Sequence, residues 1–390
     1  MNTYTPPSPY LSDQVYEQIL GWINQQQIPP GSRIPSERSL AKHFNATRSA
    51  VRQALARLVA EGKIHARSPR IRVIAEQEGQ QQKRSATISI LTHIQAKTNS
   101  GITRSFISWM YHYGLLSALH DVGRSVLYIP PMPTAAEILR RIEAERPCGM
   151  MILADALEGA HAKAVIDLIR SISLPLCINA DVLPKAIMQS LPCDSVAADH
   201  RQGCYMLTTW LIQQGRKRIL RFWPDTTQIR QCAWVEARNA GYEQACAEHG
   251  ITPLPPLWVP MIDGLPERER LDKQARINAG FLLDAFAGPQ PVDAILVISD
   301  GMYFEVAAAC RRLGRLPGKD VLICGYDNYW MELHDARIWE PSTPSATIDN
   351  RYTEIGRGMV DLLLARVADK LPSEPQCRLV KPELVVIAGQ

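Results

Sequence analysis

Residues 31–64 read GSRIPSERSLAKHFNATRSAVRQALARLVAEGKI. Two short amphipathic patterns lie here on either side of a tight turn. Ser36 is placed to cap the first, which runs through Phe44. Leu40, Ala41 and Phe44 can face inward, and Asn45 and Ala46 fall in the turn. Thr47 caps the second, from Arg48 to Glu61, and Gly62 stops it. Val51, Ala54, Leu55 and Leu58 form its apolar face. Arg48 and Arg52, four apart, share the outer side. Upstream, Val15, Ile19 and Trp22 repeat at helical spacing from about Leu11 to Gln26, and Pro29, Pro30 and Gly31 end that pattern. Downstream, KIHARSPRIRVI reads as two short strands turned about Ser68 and Pro69. Three helices followed by a hairpin make a winged helix-turn-helix.

The charge follows the same division. The chain of 390 residues has a net charge of +4. Residues 1–84 hold twelve Lys/Arg and six Asp/Glu, so the positive field belongs to the head and the remainder is slightly acidic. Such a field suits a polyanion, although a basic solvated surface would give the same count. Nine scattered cysteines, with no pair at metal-ligand spacing, read as buried thiols in a reducing cytoplasm. The first residues lack the basic and apolar segments of a secretory signal. No apolar run is long enough for a membrane span.

The head is expected to span residues 1–75. Residues 76–85 are polar and Gln-rich and read as a linker. From Thr87 short apolar strands alternate with longer amphipathic helices. Strands are expected at 86–91, 125–129, 149–153, 175–179, 195–199, 218–222, 293–298 and 321–326. Runs this apolar belong to parallel sheets covered on both faces. So many elements point to a body over 86–390 with two α/β lobes. Lobe 1 is expected at about 86–216 plus 351–370, and lobe 2 at about 217–350 plus 371–390.

A helix fits the major groove of B-DNA, and a helix-turn-helix seats its second helix there. That helix begins at Arg48. Thr47, Arg48 and Arg52 are candidates for base edges or nearby phosphates, and Ser49 is a further one. Arginine suits a guanine edge because its fork donates twice. Arg38 opens the preceding helix, placed for a phosphate, and Lys42 follows one turn on. Arg67, Arg70 and Arg72 lie around the wing. Any one of these arginines alone could be a surface group; the argument rests on the set.

In the body, no nucleophile elbow, phosphate-binding loop, zinc-binding helix or dinucleotide fingerprint occurs, so no catalytic residue, cofactor or metal is assigned. An open α/β sheet places its ligands outside the carboxyl ends of its strands. Asp181, Asp300 and Asp327 follow such strands and can accept hydrogen bonds from a small solute, or else cap local backbone. Trp223 follows RILRF (218–222) and could cover an apolar face of the solute, or else pack in the core. The expected pocket is a cleft between lobes.

The stretch from PPGSRIPSERSLAKHFNATRSAVRQALARLVAEGKI resembles the N-terminal winged helix of the GntR family of bacterial regulators, over about residues 10–75. That resemblance implies backbone contact for Arg38 and groove contacts for Thr47, Arg48 and Arg52. The family's Gly-rich wing tip is replaced here by HARSPRIRV. From about Thr87 to Ile387 the body resembles the effector domain of LacI/GalR-type repressors, similar to periplasmic sugar-binding proteins. The matching stretches include CDSVAADHRQGCYMLTTWLIQQGRKRIL, EARNAGYEQACAEHGI and VLICGYDN. The resemblance implies two lobes joined by three crossovers, near 216–219, 326–330 and 348–352. It implies effector contacts for Asp327 and Asp300, and puts Glu236 where the family often has an arginine. Ser299 and Glu236 depart from the usual sugar pocket, so a polyol or an amine-bearing solute is an alternative to a sugar.

Heads and bodies of these types, when fused, resemble the arabinose repressor subgroup. The implied protein is a homodimeric repressor of carbohydrate-related genes. It would bind double-stranded operator DNA with two-fold pseudosymmetry and be released by a small sugar-like effector. Activation or corepression would use the same parts, and an enzyme acting on the cleft ligand is the reading from another class.

Overall fold

The computed structural model describes residues 9–25, 32, 34–61, 63–68, 71–74, 86–93, 101–179 and 182–387. The chain divides into two compact units, Met1–Arg84 and Ser85–Gln390. The expected linker, 76–85, lies outside the described residues.

The first unit holds α1 (Pro9–Gln25), α2 (Glu37–His43), α3 (Arg48–Ala60) and a hairpin of β1 (Ile64–Ser68) and β2 (Ile71–Ile74). The turn between α2 and α3 uses Asn45 at φ +45°, a conformation asparagine tolerates better than most residues. Ser36 and Thr47 cap their helices, accepting from Ser39 N at 3.3 Å and Ala50 N at 3.2 Å. The apolar stripe of α3, Val51, Ala54, Leu55 and Leu58, is buried against Val15, Tyr16 and Ile19 of α1 and Leu40 of α2. Burying that stripe fixes which side of α3 remains outward. β1 and β2 pair antiparallel, with Ile64 opposite Ile74.

The second unit begins with β3 (Thr87–Leu91), α4 (Gly101–Asp121), β4 (Ser125–Ile129), α5 (Ala135–Glu145), β5 (Gly149–Ile152), α6 (Ala162–Ser171), β6 (Leu176–Ile178), α7 (Lys185–Ser190) and β7 (Asp194–Ala198). It continues with α8 (His200–Gln213), β8 (Ile219–Pro224), α9 (Thr227–Gln231), α10 (Ala233–Glu248), β9 (Leu257–Val259), α11 (Glu267–Phe286), β10 (Ala294–Val297), α12 (Tyr303–Arg312), β11 (Leu322–Tyr326), α13 (His334–Trp339) and β12 (Ala346–Asp349). It ends with α14 (Tyr352–Val367), β13 (Cys377–Val380) and β14 (Glu383–Val386).

Two six-stranded sheets result, in the orders β13-β7-β6-β5-β3-β4 and β14-β12-β11-β10-β8-β9. The first is parallel throughout; the second is parallel except for β14 against β12. Each sheet is the centre of one lobe.

The lobe boundaries differ from the sequence expectation. α8 packs on the second sheet, not the first: Cys204, Leu207 and Leu211 sit in the second lobe's core. A Cβ on Gly241 of α10 would lie 2.1 Å from Arg201 O, so α8 and α10 meet backbone to backbone. The first crossing is therefore at Asp199, between β7 and α8, rather than near 216–219. Lys217 and Arg218 instead join α8 to β8 within the second lobe, their N–H groups donating to Asp293 at 2.8 and 2.9 Å. The chain does not cross at 326–330 either, because the buried Asp300 holds that turn beside β10. The second crossing lies between Asp349 and Tyr352, where Arg351 takes φ +56°. The third joins β13 to β14 across Lys381 and Pro382. Residues 377–380, expected in lobe 2, pair with β7 of the first sheet.

α14 crosses back to cover the first sheet, burying Ile355, Met359 and Leu363 there. It meets α4 closely: a Cβ on Gly114 would lie 2.1 Å from Thr353 O. That contact brings Tyr111 of α4 and Tyr352 of α14 together, ring centroids 4.8 Å apart, at the edge of the cleft.

Candidate functional site

Within the first unit, α3 presents its first turn outward. Thr47, Arg48 and Arg52 are exposed, Ser49 is partly exposed, and Arg38 and Lys42 of α2 are exposed. Thr47 spends its hydroxyl oxygen on the cap, which leaves the hydroxyl hydrogen for a partner. Arg52 is held by Glu37, with Nε and a terminal nitrogen each 3.3 Å from Oε2. This exposed pair links the start of α2 to the second turn of α3. Arg67 and Arg72 lie on β1 and β2, and Arg70 falls outside the described residues.

In the second unit, a cavity of about 310 Å³ lies between the lobes. Its second-lobe wall centres on Arg238, in the second turn of α10 and almost fully buried. The guanidinium lies 3.7 Å from the Tyr326 ring centroid and 4.6 Å from that of Trp234. It donates to Ile298 O at 2.5 Å and lies 3.5 Å from His200 Nδ1. Asp327 Oδ1 is 3.7 Å away. That carboxylate accepts from Asn350 Nδ2 at 2.7 Å and from the Tyr352 hydroxyl at 2.6 Å. Burial raises the Asp327 carboxyl above its ordinary range, and Arg238 opposes the shift. Asp327 itself stands at φ +86°, a strained backbone held by these partners.

The first-lobe wall comes from the ends of β5 and β6 and from α4. Asp155 accepts from the Thr92 hydroxyl at 2.8 Å and from His93 N at 3.2 Å. Asn179 is 1% exposed and donates through Nδ2 to Val196 O at 2.8 Å. Ser108 and Tyr111 of α4 complete this side. The lobes touch at the rim: Ala233 N donates to Leu183 O at 3.0 Å, and Cys232 Sγ to Val182 O at 3.1 Å. The cavity thus combines aromatic faces with convergent hydrogen-bonding groups, the makeup of a small polar-solute site.

Of the five expected ligand contacts, Asp327 is the one among the described residues that lines this cavity. Trp223 is a core residue: β8 extends to Pro224, placing Trp223 inside the sheet beside Trp258, fully buried, with its indole donating to Asn239 Oδ1 at 3.2 Å. Asp300 is fully buried behind the wall, accepting from Tyr329 N, Trp330 N and the Thr347 hydroxyl at 2.9, 3.2 and 2.8 Å. It braces the turn that carries Asp327. Burial pushes its carboxyl up to about 8. Glu236 points away, pairing with Lys185 at 3.3 Å with more than half of each side chain exposed. Asp181 lies outside the described residues.

The residues missed were Arg238, Asp155 and Asn179. Helix phase carries the signal for the first. Trp234 and Arg238 are four apart and share a face of α10, whereas Glu236 lies two residues from each, on the other side. The strand-end rule carries the signal for the others, since Asn179 ends the β6 run and Asp155 follows β5.

Residues 11–70 match the family of bacterial regulatory proteins, gntR family, and residues 208–387 match the periplasmic binding protein-like domain. The arabinose metabolism transcriptional repressor of Geobacillus stearothermophilus is 22% identical over 381 residues, covering 96% of this chain and 95% of that protein. Among solved structures, the transcriptional regulator CelR–cellobiose complex superposes with a TM-score of 0.58 at 17% identity, over 90% of this chain and 99% of that one. A LacI family regulator from Enterococcus faecium with bound ribose gives a TM-score of 0.54 at 19% identity, over 78% and 99%. These structural likenesses establish the fold. The chain joins a gntR-type helix-turn-helix domain to a periplasmic-binding-protein-like domain.

Proposed function

We propose that this chain is a ligand-responsive transcriptional repressor of carbohydrate-related genes. Its head binds double-stranded DNA through the first turn of α3, and a small sugar-like effector in the cleft releases it. The observation that carries the reading is the Arg238–Asp327 constellation opening into an interlobe cavity, in a chain that also carries a gntR-family head. A polyhydroxylated solute can accept from Arg238 and donate to Asp327 while an apolar face rests on Trp234.

The mechanism is a coupling of two binding equilibria. An effector that prefers the state with low DNA affinity lowers DNA affinity by the same factor by which DNA lowers its own. One head offers a small footprint, so two chains acting on a pseudosymmetric operator supply the affinity. The exposed aromatic face of α4, with Trp109 and Tyr113 stacked at 5.6 Å, supports pairing of two bodies. The free thiols of all nine cysteines fit a reducing cytoplasm. The cleft binds its solute without turning it over.

The test is a screen of pentoses, hexoses and disaccharides for those that raise the melting temperature of the full chain. Each hit is then titrated against the chain bound to a selected duplex. A hit that lowers duplex affinity and is recovered unchanged supports the reading. A hit that is consumed makes the body an enzyme, and a hit that tightens DNA binding makes the protein a corepressor-dependent one.

A further inference from the structure

The two walls of the cleft are chemically unequal. On the second-lobe side, Arg238 and Asp327 lie 3.7 Å apart and largely neutralise each other. On the first-lobe side, among the described residues, every charged group lining the cavity is a carboxylate: Asp155 and Glu158. Among the described residues, Asp155 has no cationic partner; its hydrogen bonds there come from the Thr92 hydroxyl and His93 N, both neutral donors. Two donors leave spare acceptor capacity on a carboxylate that can take about four hydrogen bonds.

Asn179 supplies an independent observation. It follows β6, next to the end of β5, and its N–H donates to Ile152 O at 3.0 Å. Its side-chain Nδ2 is committed to Val196 O, which fixes the orientation of the amide. Asn179 lines the cavity, and its Oδ1 is left as an acceptor. That oxygen is buried and has no hydrogen-bond partner. A buried acceptor left without a donor is costly, and a donor arriving with the ligand would satisfy it.

A donor-only group satisfies this wall better than a hydroxyl. A hydroxyl brings one hydrogen and two lone pairs, and among the described residues of this wall the lone pairs find no cation. An ammonium brings three hydrogens and a positive charge opposite Asp155. We propose that the effector carries a protonated amine, seated against Asp155 and Asn179, with its hydroxyl-bearing part toward Arg238 and Asp327. The class is a polyhydroxylated amine, such as an amino sugar. This inference rests on the sensor reading above and narrows its ligand.

The experiment is isothermal titration of the full chain with matched pairs: glucosamine against glucose, galactosamine against galactose and mannosamine against mannose. N-Acetylglucosamine serves as a neutral, amine-blocked control. At least one amine binds about tenfold or more tighter than both its parent sugar and, for glucosamine, the acetylated form, the scale of one charge-assisted contact. The preference shrinks as pH rises and the ammonium loses its proton, a readout that needs no variant. Asp155→Asn, checked for an unchanged melting transition, abolishes the preference for an amine over its parent sugar. Neutral sugars that bind as well as their amines, or a preference that survives Asp155→Asn, overturn the amine assignment and leave the sensor reading intact. If neither set binds, this assignment falls, and the wider screen of neutral sugars decides the sensor reading separately.

Discussion

At the scale of single residues, Asp300 and Asp327 show how similar sequence positions divide in role. Both follow strands of the second sheet, yet Asp327 faces the cavity and Asp300 braces the turn behind it. Asp327→Asn keeps the shape but loses the charge beside Arg238. We expect effector affinity to fall about tenfold or more, with DNA binding in the absence of effector unchanged. Asp300→Asn acts on stability and its pH dependence. Because burial raises the folded-state carboxyl to about 8, the folded protein holds a proton that the unfolded chain releases near its ordinary value. Its contribution is complete below the unfolded pKa and is lost as pH rises toward about 8. Urea titrations from pH 4 to 8 should therefore show a decline with pH that is flatter in Asp300→Asn. Trp223 belongs to the core, so Trp223→Ala should destabilise the body by about 3–5 kcal/mol in the same titrations. The sequence made the strand-end position of Asp327 legible. It did not reveal that β8 runs two residues further, which buries Trp223, or that α10 starts at Ala233, which turns Glu236 outward and Arg238 inward.

At the scale of elements, the three head helices were legible because their caps and apolar spacing agree. Thr47 holds the first turn of α3, so Thr47→Ala should cost about 1 kcal/mol of head stability, with Thr47→Ser retaining most of it. A thermal melt that follows the head's helicity checks this. In the body, the long apolar strands could be read directly. β9, β12 and β13 could not: each has only three or four residues, and β13 gains its place by pairing with β7, a contact distant in sequence. α8 was assigned to the wrong lobe for a related reason. Its own pattern gives an amphipathic helix, but only the close approach at Gly241 shows which sheet it covers.

At the scale of the whole molecule, the excess positive charge in residues 1–84 and the cavity in the second unit assign two binding events to two separate units. If the two equilibria are linked, a saturating effector lowers duplex affinity, and saturating duplex lowers effector affinity, by equal factors. The central claim is that α3, led by Arg48, grips duplex DNA. The direct measurement is the affinity of the full chain for its best selected duplex across a salt series, alone and with Arg48→Ala and Arg52→Ala combined. We expect a preferred duplex, affinity that falls steeply with salt, and a marked loss in the double variant, its salt slope smaller by about one for each phosphate contact removed. No preferred duplex, with the same weak affinity and slope in both proteins, would contradict the account.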